Sequence, residues 1–427
     1  MHKILTAKLF VFLILISVNA YADSTNVDSL VSEVLEKNPE IQSYRAEIEA
    51  AKGARTTAGT WANPEVGGSF GQKKVWSGGE DGDTTAKGKT FDISIMQSVE
   101  WPGRLSLRKA IAQRDIELAE LGLEQFRALL QTRTKVALYH LFAAREVQAA
   151  TQEVSSHFRA LKEVLSQRSP AGLTPLLETR VIETMELNTQ RKATQASIAA
   201  QEALNEWNLL RGAPADADFP LSPIAVDFKP LKESKDALAA LVFSNDYTVR
   251  QRTIELERQN SRLGLAENER MPAVSIGPVI SQEKAGDKER MIGGAVSVPL
   301  PLWNQNQGNI QIEKARRVQS EVSLDLAKRD AENRLSLAMV AYEKKLKEIS
   351  EWKPEAIQHF KEAAELADRH YRLGSVSVTV YVELQTQYLE ALQGLHDTRA
   401  EALDAAGQLE LLTGSNLALA SVDTDKK

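Results

Sequence analysis

IAQRDIELAELGLEQFRALLQTRTKVALYH, residues 111–140, carries the pattern on which the fold turns. Ala112, Ile116, Ala119, Leu123, Phe126 and Leu130 recur at alternating steps of four and three; Arg133 interrupts and Ala137 resumes. That is the a/d seam of a helix that supercoils on its neighbours. Alanine at alternate places lets those neighbours approach closely. From Leu105 to Gln167 there is no proline, and Gly122 is the one glycine. The rod predicted here is some 90 Å long at about 1.5 Å per residue. No compact globular domain needs such a rod, whereas a tube spanning a periplasm does.

Ahead of this helix the period changes. Asn63-Pro64 closes a first helix predicted over Val27 to Thr60, because the residue before a proline disfavours the helical region. Phe91, Ile93 and Ile95 then alternate with Asp92 and Ser94, which is strand spacing with one apolar face. The same order returns after Met271-Pro272, with Val274, Ile276 and Ile280. The spacing predicts strands at about 65–75, 90–99, 273–282 and 291–299. The glycine-rich and charged stretch from Gly71 to Lys89, and the charged stretch from Gln282 to Arg290, read as exposed loops.

The two passages belong to a longer self-similarity. Glu47-Ile48-Glu49 and Pro64 match Glu255-Leu256-Glu257 and Pro272 at a shift of 208. Trp101, Gly172 and Gly212 match Trp303, Gly374 and Gly414 at a shift of 202. A period of this length predicts duplication of a domain-sized unit. The reading divides the chain into a first repeat over 23–218, a linking segment over 219–231, a second repeat over 232–414 and a tail over 415–427.

The N-terminus reads as a secretory signal over residues 1–22. It has His2, Lys3 and Lys8, an apolar run from Leu9 to Ile16, and Ala20-Tyr21-Ala22 as the cleavage site. Its removal takes two lysines and no acids, moving the formal charge from -6 to -8. There is no basic stripe, so nucleic acid is not an expected partner. With no cysteine, disulfides, thiolate metal sites and a lipidated N-terminus are excluded. After the signal no apolar stretch is long enough for a membrane helix, so any crossing must be a closed β-barrel. Four strands are too few to close one, about eight being the working minimum, and a bilayer forbids their open edges. Several chains must therefore share one barrel.

No catalytic constellation is present. The six histidines form no zinc spacing, and His359 and His370, which share a helix face, read as solvated. No nucleophile elbow, Walker loop or dinucleotide fingerprint occurs, and Ile292-Gly293-Gly294 sits in a strand. The expectation is no enzyme, no cofactor and no resident metal.

Three passages resemble a known family. Val99-Glu100-Trp101-Pro102-Gly103-Arg104 resembles the Glu-Trp-Pro-Gly-Lys/Arg signature of the heavy-metal (cobalt-zinc-cadmium) branch of TolC-like outer-membrane efflux proteins. Val298 to Ile310 is similar to that branch's Pro-Leu-Pro-Leu-aromatic-Asn-x-Asn-Gln-Gly passage. Tyr371-Arg372-Leu373-Gly374, with Leu411-Leu412-Thr413-Gly414, resembles the wider class. The resemblance implies a mainly α chain with a small β part, four strands per chain in the twelve-stranded barrel of a homotrimer, and helices continuing as a periplasmic tube. It also implies a side belt built from Phe219 to Leu231 and the chain ends. Its partners would be outer-membrane lipid, a periplasmic adaptor and an inner-membrane proton-driven (RND-type) pump. Gly172-Leu173-Thr174 and Arg372-Leu373-Gly374-Ser375-Val376 resemble the family's periplasmic tips, read by the adaptor. The first departs from the family in the Ser169-Pro170-Ala171 that precedes it. Trp101, Pro102, Gly103 and Trp303 fall where strands return to helices; the two tryptophans suit either an interfacial aromatic girdle or packing of the junction.

The function expected is passive export of divalent metal cations, the acidic mature chain suiting cation passage. The same duct for drugs or other small molecules, and a non-pore periplasmic coiled coil, are the alternatives. Strand pairs inserted twice between rods speak against the last.

Overall fold

The computed structural model describes residues 27–76, 84–167, 173–353 and 355–423. The signal read over 1–22, the tip residue Gly172 and the end of the tail, 424–427, lie outside them.

The helix expected from Val27 to Thr60 is two helices, α1 (Val27–Lys37) and α2 (Glu40–Ala58). Asn38 and Pro39 separate them, and the Asn38 side chain accepts from Glu40 N at 3.0 Å while donating to Leu210 O at 3.1 Å. Two strands follow, β1 (Glu65–Trp76) and β2 (Thr84–Val99), then the rod α3 (Arg104–Gln167), 64 residues without a break. It returns through α4 (Leu173–Arg211).

After β3 (Ala225–Phe228) the order recurs: α5 (Lys235–Asn245), α6 (Tyr247–Asn268), β4 (Val274–Ala285), β5 (Asp287–Ser297) and α7 (Gln307–Glu351). Here too an asparagine at the helix break, Asn245, donates 2.8 Å to a carbonyl at the end of a distant helix, Thr413 O. The rod of this half is interrupted before α8 (Ala356–Arg372), where the sequence holds Pro354. The chain ends in α9 (Val378–Thr413) and β6 (Ala420–Asp423).

The strands reach further than their apolar alternation predicts. Gly71 to Trp76 and Thr84 to Lys89 are strand, leaving only 77–83 of the expected loop outside the described residues. The expected loop from Gln282 to Arg290 is the end of a hairpin: Gly286, at φ +93°, turns the chain, and Lys284 pairs with Lys288. Charged side chains extend these strands because the period of two holds even where apolarity stops.

β1, β2, β4 and β5 form one antiparallel sheet in that order, so β2 and β4 join the two halves while β1 and β5 are its edges. A second sheet pairs β3 with β6. Three apolar cores hold the helices. Trp207, Tyr139, Leu138 and Val34 centre one, and Phe158, Tyr381 and Ile182 another. Leu335, Tyr342, Leu409 and Leu238 centre the third. The Tyr342 hydroxyl lies 2.6 Å from Lys229 O and 2.9 Å from Leu419 O, pinning the small sheet to the third core.

Candidate functional site

The four-stranded sheet has two chemically distinct faces. Residues paired across an antiparallel sheet share a face, so the register reads them directly. One face carries Val66, Phe70, Phe91, Ile93, Ile95, Ile276, Ile280, Ile292 and Val296. Phe70 and Phe91 are tilted against each other at 5.2 Å, and Ile292 is 73% and Val296 70% exposed. From Val99 to Phe91 this apolar band runs about 27 Å along the strand at about 3.4 Å per residue. Beyond it, on the same face, come Lys74, Lys87, Lys89, Lys284, Lys288 and Arg290.

The opposite face is richer in small and polar residues, Gly67, Ser69, Gly71, Thr90, Ser94, Ser275, Ser281, Gly293 and Ser297, with Val75, Met96, Val279 and Met291 among them. All five carboxylates of these four strands, Glu65, Asp92, Glu283, Asp287 and Glu289, fall on it. Its one cation, Lys73, is paired to Glu283, and Ser69 Oγ donates to Asp92 at 2.5 Å. Thus every strand carboxylate lies on one face and six of seven cations on the other.

The return from sheet to helices is built by the quoted motifs. Gly103 takes φ +89°, which a side chain would resist, and lets the chain turn into α3. Arg104 then donates to Asn268 Oδ1 at 3.1 Å and Asn268 O at 3.2 Å, while Asn268 Nδ2 donates to Pro102 O at 2.9 Å. From the second motif, Asn306 stands at φ 60° as the N-cap of α7 and donates to Ala266 O at 2.8 Å. Both junctions therefore fasten to the last turn of α6. Trp101 is 44% and Trp303 87% exposed, so neither is buried within the chain at that junction. Sequence reasoning singled out Trp101, Pro102, Gly103 and Trp303 but missed Arg104, Asn268 and Asn306. Arg104 and Asn306 stood in quoted motifs without a role of their own; Asn268 gave no signal beyond the tolerance of asparagine for caps and turns.

At the turn between α8 and α9, Gly374 has φ +72°, and Gly374 N and Ser375 N donate to Tyr371 O and His370 O, both at 2.9 Å. Leu373 is 77% exposed, Arg372 is held by Asp368 at 2.8 Å, and Ser377 caps α9. Below the turn Tyr371 stacks on Tyr381 at 5.2 Å, and burial pushes the Tyr381 phenol up. Of the first-half counterpart, Leu173 and Thr174 open α4.

Among the described residues no three His, Asp or Glu side chains stand together to hold a metal, and His359 and His370 are both exposed on α8. No described helix is long and apolar enough to cross a membrane. Buried between α3 and α9, Tyr139 Oη and His396 Nδ1 are 3.0 Å apart; burial lowers the histidine to about 4 and raises the tyrosine to about 12.

Comparison with known proteins agrees with this architecture. The family model described as outer membrane efflux protein matches residues 30–213. That match takes in fewer than half of the chain's residues. A curated relative, the cobalt-zinc-cadmium resistance protein CzcC of Cupriavidus metallidurans, is 24% identical over 243 residues, which is 56% of this chain and 57% of the relative. The Campylobacter jejuni outer membrane channel CmeC matches with a TM-score of 0.71 at 15% identity, covering 96% of this chain and 89% of that chain. The open state of the Neisseria gonorrhoeae outer membrane channel MtrE gives 0.68 at 14%, covering 94% and 91%. These likenesses show the fold.

Proposed function

We propose that this protein is the passive outer-membrane duct of a tripartite efflux system. The observation that carries the reading is the open four-stranded sheet, with its apolar face, its carboxylate face and two unpaired edges. An open edge is not tolerated in hydrocarbon, so β1 of one chain pairs with β5 of the next. Three copies give twelve strands, with the apolar band on lipid and the carboxylates lining the lumen, the arrangement of outer-membrane barrels. Trp101 and Trp303 then sit in the interfacial girdle, with Pro102 and Gly103 at the junction.

A second feature supports assembly. Leu176, Leu187, Ile198 and Leu209 recur every eleven residues along α4 and are 44%, 66%, 54% and 67% exposed. An eleven-residue apolar repeat keeps one stripe on one side of a nearly straight helix, as a tube wall shared between chains requires. The chain is two structural repeats, 23–218 and 232–414, joined by 219–231. Gly172, Leu173, Thr174 and Arg372 to Val376 form the periplasmic tips that meet an adaptor coupled to a proton-driven inner-membrane pump.

The cargo is a divalent metal cation. The likeness to the cobalt-zinc-cadmium resistance protein supports this, and so does the carboxylate face, since acidic rings favour cations. The protein does no chemistry on it. The test is intact mass of the detergent-purified protein together with planar-bilayer conductance. A trimer with discrete, cation-preferring steps is expected. A monomeric or dimeric rod without conductance overturns the duct in favour of a periplasmic coiled coil.

A further inference from the structure

Six cations on the apolar face have no role in conduction, because they stand on the side away from the carboxylates. They are also arranged at a cost. One row across the sheet reads Gln72, Lys89, Lys284, Lys288, three lysines directly opposite one another on adjacent strands. Lys74 opposes Lys87 one row further out, and Arg290 stands beside Gln282 one row further in. Like charges directly opposed destabilise a sheet. Among the described residues no carboxylate of the four strands shares their face; Glu80, Asp81 and Asp83 of the connection between β1 and β2 lie outside those residues. All six cations are exposed. An anion lying over the row removes the repulsion.

The surroundings say what kind of anion. The row stands only about 7 Å along the strand beyond Phe91, at the end of the apolar band. Trp76, 60% exposed, ends β1 four residues beyond the row's Gln72. A soluble polyanion matches the cations and gains nothing from the apolar band beside them. An amphiphile matches both at once, with acyl chains on Phe70, Ile93, Ile280 and Ile292 and anionic head on the lysines. Phosphate is the head chemistry that clustered lysines hold as point charges.

We propose that the Lys89–Lys284–Lys288 row, flanked by Lys74, Lys87 and Arg290, binds the phosphate groups of an acylated glycolipid in the leaflet at the distal end of the sheet. This rests on the barrel reading for its orientation. The barrel would carry the site three times, as a collar of phosphate contacts that fixes its height in the membrane.

The experiment uses the full-length protein in mild detergent. It is incubated with a diphosphorylated, acylated disaccharide or with the same lipid dephosphorylated, then weighed intact by native mass spectrometry. Bilayer conductance is measured on the same preparations. Wild type should retain the phosphorylated lipid at least about tenfold better than the dephosphorylated one. The triple variant Lys89→Gln, Lys284→Gln, Lys288→Gln should lose that preference, while Lys73→Gln on the opposite face keeps it. Lys284→Gln alone, at the centre of the row, should move in the same direction where the triple variant does not assemble. Equal retention of the two lipids by wild type, or undiminished preference in the lysine variants, overturns the proposal. So does displacement of the lipid by millimolar inorganic phosphate, which would make free phosphate the occupant. A trimer that conducts but shows no lipid preference refutes the phosphate site alone. Lipid preference dependent on the row, in a protein that neither trimerises nor conducts, refutes the duct and leaves the site standing.

Discussion

The helical body and the four-stranded sheet solve the folding problem in opposite ways. The body closes three cores on itself, with Trp207, Tyr139, Phe158, Tyr381 and Leu335 fully enclosed. No described residue of β1, β2, β4 or β5 is buried, and Phe70 is 82% exposed. A soluble sheet could not stand this way, since burial of apolar surface is the main force available to it. The body is therefore stabilised by its own chain, and the sheet by whatever surrounds it, which in the proposed barrel is lipid and neighbouring copies.

The largest test of that contrast is Trp207→Ala. It empties a closed core and should destabilise the body by about 3–5 kcal/mol, read as a fall in thermal midpoint by circular dichroism. A loss under about 1 kcal/mol would deny that the body supports itself. On the sheet the effect should depend on face. Ile280→Arg puts a charge in the apolar band and should cost about 2–4 kcal/mol in a bilayer. Its neighbour Ser281→Arg should leave stability nearly unchanged and weaken cation preference in conductance. Equal effects on folding from the two would mean the faces are not lipid and lumen.

A pH titration sharpens the comparison, because the body contains a buried histidine and the sheet none. His396 is lowered from 6.5 to about 4 by burial, with Arg399 adding to the shift. Between those values the unfolded chain binds a proton that the folded chain refuses, so stability falls as pH drops from 6.5 towards 4 and levels off below. The ceiling is about 3 kcal/mol, at about 1.4 kcal/mol per pH unit. Denaturant midpoints across that range should show the fall in wild type, and His396→Gln should flatten it. The smallest effect belongs to the break in the heptad seam. Arg133 leaves the seam to meet Glu206 on α4 at 2.9 Å, about half exposed, and Arg133→Ala should cost under about 1 kcal/mol.

Much of this was legible because single physical rules governed long stretches. The rod from Arg104 to Gln167 follows from a seam without proline, and the strand around Ile93 from strict alternation. The break at Pro39 obeyed the same proline rule that was applied only at Pro64 and Pro272. The outer strand segments, Gln72 to Trp76 and Glu283 to Arg290, looked like loops because they are charged. From Glu283 to Arg290 the alternation is one of charge sign, cations to one face and acids to the other, which hydrophobic periodicity does not register. Strands β3 and β6 are four residues each and almost two hundred apart in sequence, so nothing local announces their pairing. The clamps made by Asn268 and Asn306 belong to the same class, being visible only once distant segments meet.

The pairing of β2 with β4 has a consequence in time. Lys89 finds Lys284 across nearly half the chain, and neither hairpin has another partner within the molecule. A lone hairpin is marginal in water. Until the chain has been delivered past residue 285, the first hairpin has nothing to pair with, and the core around Trp207 waits longer still, for Ala400 and Leu403 of α9. The four-stranded sheet thus cannot form from half a chain. A quality-control protease would meet every incomplete copy with its strand edges still open.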